Sequence, residues 1–385
     1  MSDTGQEVRA MAQEGERERS DPRTGSGASD RGETLLLTGF PGFIGGRLVG
    51  RLLDTRPEAR IVALVEESAV DAAHESAREL DPERIEILPG DITDRRLGFD
   101  ADTLERLAAT VTTVFHLAAV YDLAVPFDTA LEVNVEGTGN VLEFCARAER
   151  LERLNYVSTA YVAGTREGKV YEHELSLGQG FKNHYESTKF QAEVWVHDVM
   201  DVIPTTIYRP AIVVGDSRTG ETAKFDGPYY LLRMISQLSG RRMPLPQMGT
   251  EAPFNVVPVD LVVEGIARVS LDADAIGETL HLVDPDPLSS RDLVEALATE
   301  YAGRTPKLRV PPSAADPSLR FAAMRRAFGG IPRESLVYLT HEVHFSTRRA
   351  EELLDRHGIA CPPFREYMPA IVRFFREHED DPAYA

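Results

Sequence analysis

The 385-residue chain contains only two cysteines, Cys145 and Cys361, far apart and without metal-ligand spacing. Two such residues cannot build a disulfide scaffold, so the expected setting is a reducing cytoplasm. Cys145 falls in an apolar helical pattern, the place of a small core residue rather than of a nucleophile. No stretch approaches the roughly 18 apolar residues of a membrane span, and the N-terminus lacks the apolar run of a secretory signal. Basic residues are also scarce, 42 against 62 acidic ones, for a formal net charge of -20. So negative a surface repels nucleic-acid backbones and anionic lipid heads, and neither is expected as a partner. An anionic small substrate stays open, because a local basic mouth overrides the global sign. No internal repeat is visible.

What is present is a folded composition, 42% hydrophobic and 27% charged. Residues 1–31 are polar, charged and rich in Gly and Ser, which predicts a disordered tail. Apolar runs then alternate with helical patterns. Strands are expected at 34–39, 61–65, 85–88, 113–118, 154–158 and 205–209, with one more at 280–284. Helices are expected over 43–53 and 70–80, and one long helix over 131–149. Strands apolar throughout, alternating with helices, predict an α/β fold with a doubly wound parallel sheet covered on both faces. The sheet core is expected over 32–210, and a smaller lobe over 211–385. Within the lobe, 254–284 is expected to return to the core. Further helices are expected around 231–238, 293–301, 347–357 and 369–377.

The run Gly39-Phe40-Pro41-Gly42-Phe43-Ile44-Gly45 lies where the first strand turns into the first helix of this pattern. Small residues there let the backbone approach a pyrophosphate, and the helix N-terminus offers it unpaired N–H groups. Three turn glycines without a ligand are the plain alternative. Glu66 ends the second strand, where a carboxylate accepts hydrogen bonds from ribose hydroxyls and repels a 2'-phosphate; it could equally be an ordinary solvent-facing acid. Asp91 and Ile92, in LPGDIT, follow the third strand near the expected adenine position. Leu117, Ala118 and Ala119 close the fourth strand with small residues against which a coenzyme could lie.

Tyr185 and Lys189 stand four apart in a helical stretch and so point the same way. A tyrosine hydroxyl is a poor acid near neutrality, and an ammonium four residues on lowers its pKa by charge. Ser158 and Thr159 end the fifth strand, within reach of a carbonyl oxygen. Together these residues predict an oxyanion-binding, proton-donating group facing a hydride donor. Asn134 is read as a buried amide that bends or hydrates its helix and orders a proton relay to Lys189, or else as a local packing feature.

With TGFPGFIG, GDIT, HLAA, NVEGTGN, VSTAYVAG and YESTK in this order, the chain resembles the extended short-chain dehydrogenase/reductase family over about 34–285. The resemblance implies a Rossmann-type fold, Tyr185 as acid/base, Lys189 as the group that lowers its pKa and holds the ribose, Thr159 as the catalytic hydroxyl and Asn134 as the fourth member. FHLAAVYDL, YRPAIVVGDSRTGETAKFDGPYY and NVVPVDLVVEGIA narrow the likeness to fatty acyl-CoA reductases and thioester reductase domains. That implies NAD(P)H-dependent reduction of a CoA- or carrier-protein-bound acyl thioester to aldehyde, in some cases on to alcohol, with Pro210 beside the nicotinamide. Many relatives have an arginine at the end of the second strand for the NADPH phosphate. Here the place reads ALVE, so Glu66 leans toward NADH unless Arg47 compensates. Tyr229, Tyr230, Met234 and Leu245 are expected to form an apolar acyl channel or ordinary lobe packing. Two other functions remain open: a dehydrogenase of a hydroxyl or ketone on a sterol, sugar or polyketide, and a non-catalytic coenzyme-binding protein.

Overall fold

The computed structural model describes residues 5–12, 32–121, 125–309 and 336–384. Seven strands form one sheet: β1 (Thr34–Thr38), β2 (Arg60–Val65), β3 (Ile85–Pro89), β4 (Thr113–His116), β5 (Arg153–Val157), β6 (Thr205–Pro210) and β7 (Thr279–Leu282). Every pairing is parallel and the spatial order is β7-β6-β5-β4-β1-β2-β3. The order reverses between β1 and β4, which is where a doubly wound Rossmann sheet opens its ligand crevice.

Twelve helices are used below. They are α1 (5–12), α2 (Phe43–Thr55), α3 (Val70–Leu80), α4 (Ala101–Thr110), α5 (Phe127–Leu131), α6 (Gly137–Arg147), α7 (His184–Val199), α8 (Tyr229–Gly240), α9 (Val259–Val269), α10 (Ser290–Ala302), α11 (Arg348–Asp355) and α12 (Phe364–His378). Because β1, β4 and β5 are buried on both faces, each face needs a helical layer. Leu48, Leu52, Val262 and Ile266 bring α2 and α9 onto one face. Leu107, Leu142, Ala192 and Val196 bring α4, α6 and α7 onto the other. Residues of α8, α10 and α12, among them Leu232, Leu297 and Phe375, form a third core in the lobe.

One expectation is corrected and one refined. The tail expected to be disordered through residue 31 contains α1, with Val8 and Ala12 buried against the α6–α7 core. Arg9 anchors it, donating to the Asp198 carbonyl at 2.6 Å and to Asp201 at 2.8 Å. Composition averaged over 31 residues hid an eight-residue amphipathic stretch; residues 1–4 and 13–31 lie outside the described residues. The long helix expected over 131–149 runs from 127 to 147 and carries, between α5 and α6, a π-helical turn at Glu132–Glu136. Its cause is Asn134, whose amide pairs with the Val120 main chain in both directions, accepting from N–H at 2.8 Å and donating to the carbonyl at 3.1 Å. Such an insertion widens a helical turn.

Candidate active site

The C-terminal ends of β1, β4, β5 and β6 surround a cavity of about 480 Å³. Gly39, at the end of β1, has φ +90°, and a side chain there would meet the Ala118 amide at 3.0 Å. A Cβ at Gly45 would fall 2.3 Å from the Gly39 carbonyl oxygen. Only glycine lets the turn close this tightly against α2. No side chain caps α2 at Gly42, so its first amides, beside Phe43 and Ile44 on the cavity wall, keep the free donors of a helix start. A cradle of backbone donors with no side chain over it fits a coenzyme pyrophosphate.

The neighbouring strand ends are fixed by a buried polar chain. Thr38 Oγ1 accepts from the Leu117 and Ala118 amides at 3.2 and 3.1 Å. Both its lone pairs are then used, so its proton goes to His116 Nδ1, 2.8 Å away. His116 Nε2 must carry the ring proton and donates to Thr138 Oγ1 at 3.1 Å, and Thr138 donates to the Asn134 carbonyl at 2.7 Å. Burial, reinforced by the Lys189 charge, pushes the imidazole down to about 3 and keeps it neutral. The chain holds Leu117, Ala118 and Ala119 as a flat wall of the cavity.

Thr159, Tyr185 and Lys189 line the same cavity. Burial pushes the Tyr185 phenol up to about 12, while a hydrogen bond with the Thr159 side chain pulls the other way. Lys189 donates to the Val157 carbonyl at 2.9 Å and to the Tyr156 hydroxyl at 3.0 Å, leaving the third ammonium proton for another acceptor. Burial lowers its pKa to about 8. In this geometry the Thr159 side chain eases ionisation of Tyr185 through its hydrogen bond. Ser158 differs from expectation: its hydroxyl donates to the buried Glu193 carboxylate, which commits its proton, whereas Thr159 and Tyr185 line the cavity beside it.

Asn134 does not reach Lys189; its amide donates to Thr188 Oγ1 at 3.0 Å and otherwise holds Val120. It therefore shapes the backbone beside the site and makes no hydrogen bond toward the ammonium. Gly39, Gly42, Phe43, Ile44, Gly45, Leu117 to Ala119, Ser158 and Pro210 line the cavity. Phe40 is instead buried in the α2–α9 core, and Pro41 lies outside the lining. Glu66 stands exposed at the end of β2. Asp91 is exposed and holds its own turn, accepting from the Thr93 amide at 2.8 Å; Ile92 is buried beneath it. Arg47 is tied to Glu221 at 2.8 Å and lies over the Phe43 ring.

The second half of the cavity is apolar, with Ile212, Val213, Leu231, Phe254 and Leu339 on its walls and Lys224 and Asp226 among the polar groups. Of the expected acyl-channel residues only Tyr230 lines it. Tyr229, Met234 and Leu245 are buried in the lobe core, the first two because α8 turns that side toward α10 and α12. Tyr161 and Tyr338 are lining residues that sequence reasoning missed. Tyr161 lay in the VSTAYVAG run already quoted, whereas no motif surrounds Tyr338.

A family model described as male sterility protein, of the NAD-binding kind, matches residues 37–266. The aldehyde reductase lnaA of Aspergillus flavus is 31% identical over 290 residues, 68% of this chain and 27% of its own length. The chloroplastic fatty acyl-CoA reductase 2 of Arabidopsis thaliana is 29% identical over 359 residues, 70% of this chain and 58% of its own. The chain therefore spans less than two thirds of either relative. The crystal structure of the terminal R domain from the myxalamid PKS-NRPS biosynthetic pathway has the same fold, with TM-score 0.77 and 24% identity over 100% of both chains.

Proposed function

Because the chain belongs to the male sterility family of NAD(P)-dependent reductases, within the extended short-chain dehydrogenases, we propose that it reduces an acyl thioester, CoA-linked or carrier-bound, to the aldehyde. One observation carries this reading: Thr159 and Tyr185, joined by a side-chain hydrogen bond, line one cavity together with the glycine turn and apolar residues such as Ile212, Leu231 and Phe254. A carbonyl seated there has its oxygen at the two hydroxyls and its acyl chain along Ile212, Leu231 and Phe254.

The nicotinamide coenzyme, when bound, supplies the hydride. The glycine turn and the free amides of α2 hold its pyrophosphate, and the third proton of Lys189 is available to its ribose. Tyr185, kept protonated by burial, donates to the oxygen of the reduced carbonyl, and Thr159 orients that phenol. Such proton donation is worth about 10²–10⁴-fold. The hemithioacetal hydroxyl then returns its proton to the Tyr185 phenolate as the C–S bond breaks, and the electron pair leaves with sulfur, which takes a proton from solvent, giving the aldehyde and the free thiol. The apolar walls limit access of water to the acyl chain. Glu66, exposed at the end of β2, and Arg47, already paired with Glu221, favour NADH over NADPH.

The test measures NADH and NADPH oxidation with dodecanoyl-CoA and with dodecanal, in wild type and Tyr185→Phe. Thioester-dependent oxidation that falls at least about 100-fold in the variant, with coenzyme affinity retained, is the expected result. Turnover of dodecanal but not of the thioester would move the protein to carbonyl or alcohol chemistry. An undiminished Tyr185→Phe rate would remove that residue from the mechanism.

A further inference from the structure

A second buried charged group adjoins the candidate acid and plays no part in the scheme above. Glu186 follows Tyr185 in the first turn of α7, and its side chain is fully buried. Its carboxylate accepts from Lys182 Nζ at 2.9 Å, from the Lys182 amide at 3.0 Å and from the Tyr338 hydroxyl at 2.6 Å. Asn183, the N-cap of α7, accepts from the Glu186 amide at 2.9 Å and donates to the same Tyr338 oxygen at 2.8 Å. The Lys182 ammonium also donates to the Gly164 carbonyl and lies 5.1 Å from the centre of the Tyr338 ring. Tyr338 therefore joins both capping side chains of the helix that carries Tyr185, reaching them from a 3₁₀ turn at Val337–Thr340 more than 150 residues away.

Burying an ion pair gives little or no net stability against an apolar replacement, so stability alone does not explain the arrangement. Its location does. Tyr338 and Tyr161, packed edge to face at 5.0 Å, both line the cavity, and the Glu186 carboxylate bears on the Tyr185 phenol. Resting on the reading of Tyr185 as the acid, we infer that Tyr338 is a positioning residue: with Lys182 it fixes and screens Glu186, so that the C-terminal segment holds Tyr185 in its working place.

The groups facing these centres come from several elements. Glu186 faces Lys182, Asn183, Tyr338 and Tyr161. Tyr185 faces Thr159, Glu186 and Tyr156, and Lys182 also bears on His341. An unscreened carboxylate makes Tyr185 harder to ionise, and a neutral amide in its place makes it easier.

The experiment compares wild type, Tyr338→Phe, Glu186→Gln and Tyr185→Phe. It follows reduction of dodecanal and of dodecanoyl-CoA from pH 7 to 11, together with NADH affinity from fluorescence. For Tyr338→Phe, kcat falls about tenfold with NADH affinity within about twofold, as expected for misplacement of an acid. For Glu186→Gln the alkaline limb moves down by about one unit. A merely structural role lowers NADH affinity and kcat together, or leaves the Glu186→Gln profile at its wild-type position while Tyr185→Phe is inactive; either result overturns the inference alone. Wild type inactive on both substrates, or Tyr185→Phe fully active, overturns the assignment of the acid and this inference with it.

Discussion

Glu66 shows how much one residue's chemistry follows from its place along a strand. A carboxylate just beyond the second strand of a dinucleotide fold hydrogen-bonds ribose hydroxyls and repels a 2'-phosphate, and the spacing from the glycine turn was enough to single it out. What the spacing left open was whether Arg47 compensates. It does not present a free guanidinium, because Glu221 and the Phe43 ring hold it. Glu66→Arg should therefore shift the NADPH to NADH ratio of kcat/KM upward by about tenfold or more, since arginine pairs with phosphate as carboxylate cannot; an unchanged ratio would place coenzyme selection elsewhere. Tyr185 and Lys189 were legible for a similar reason, helical spacing. Their electrostatics were not, because the state of a phenol depends on burial and on Thr159, which the chain brings in from a strand end.

Among the elements, α7 has the least conventional face toward the core, burying Glu186, Lys189 and Glu193 together with apolar residues. Alternation of apolar and polar residues does not reveal such a helix, because its buried polar groups need partners supplied by other elements. The same holds for α11. Its N-cap residue Thr347 makes no capping side-chain bond. Instead Glu172 accepts from the Arg349 and Ala350 amides at 2.8 and 2.9 Å, and from the β7 amide of His281 at 3.2 Å. Glu172→Ala should cost about 2 kcal/mol, the upper range for a lost helix cap, read as a lower urea midpoint with an unchanged slope. Full retention of the midpoint would mean that water replaces the carboxylate at no cost.

At the scale of the molecule, a buried polar network ties the sheet to the C-terminal segment. Glu193 pairs with Arg209, which donates to the Glu172 and Glu174 carbonyls and lies 3.3 Å from His281. His281 in turn meets the Ser346 carbonyl at 2.8 Å. Burial, aided by the Arg209 charge, pushes His281 down to about 3, while Arg209 and His197 outweigh burial and hold Glu193 near 2. The signs agree. Below about 6.5 the unfolded chain takes up protons on His116 and His281 that the folded chain refuses, and below about 4.5 it does so on Glu193. Stability is therefore greatest above about 6.5 and falls as the solution is acidified toward 3. Urea midpoints should drop steadily from pH 7.5 to 5, and Glu193→Gln should lose about 3–5 kcal/mol at pH 7 by stranding Arg209. A flat profile would mean that water reaches these groups in the folded state.

The sequence by itself determined the strand–helix alternation, the glycine turn, the Tyr185–Lys189 spacing and the acid at Glu66. Each is a local pattern whose meaning depends on neighbours a few residues away, and hydrophobic period and backbone sterics act over that range. Tertiary structure alone decided that α1 packs on the core, that Asn134 widens a turn and holds Val120, that Glu193 accepts the hydrogen bond of Ser158, and that Tyr338 reaches the cap of α7. These depend on which distant groups share a low-dielectric interior. There every buried donor, acceptor and charge must find a partner, and sequence spacing does not name that partner.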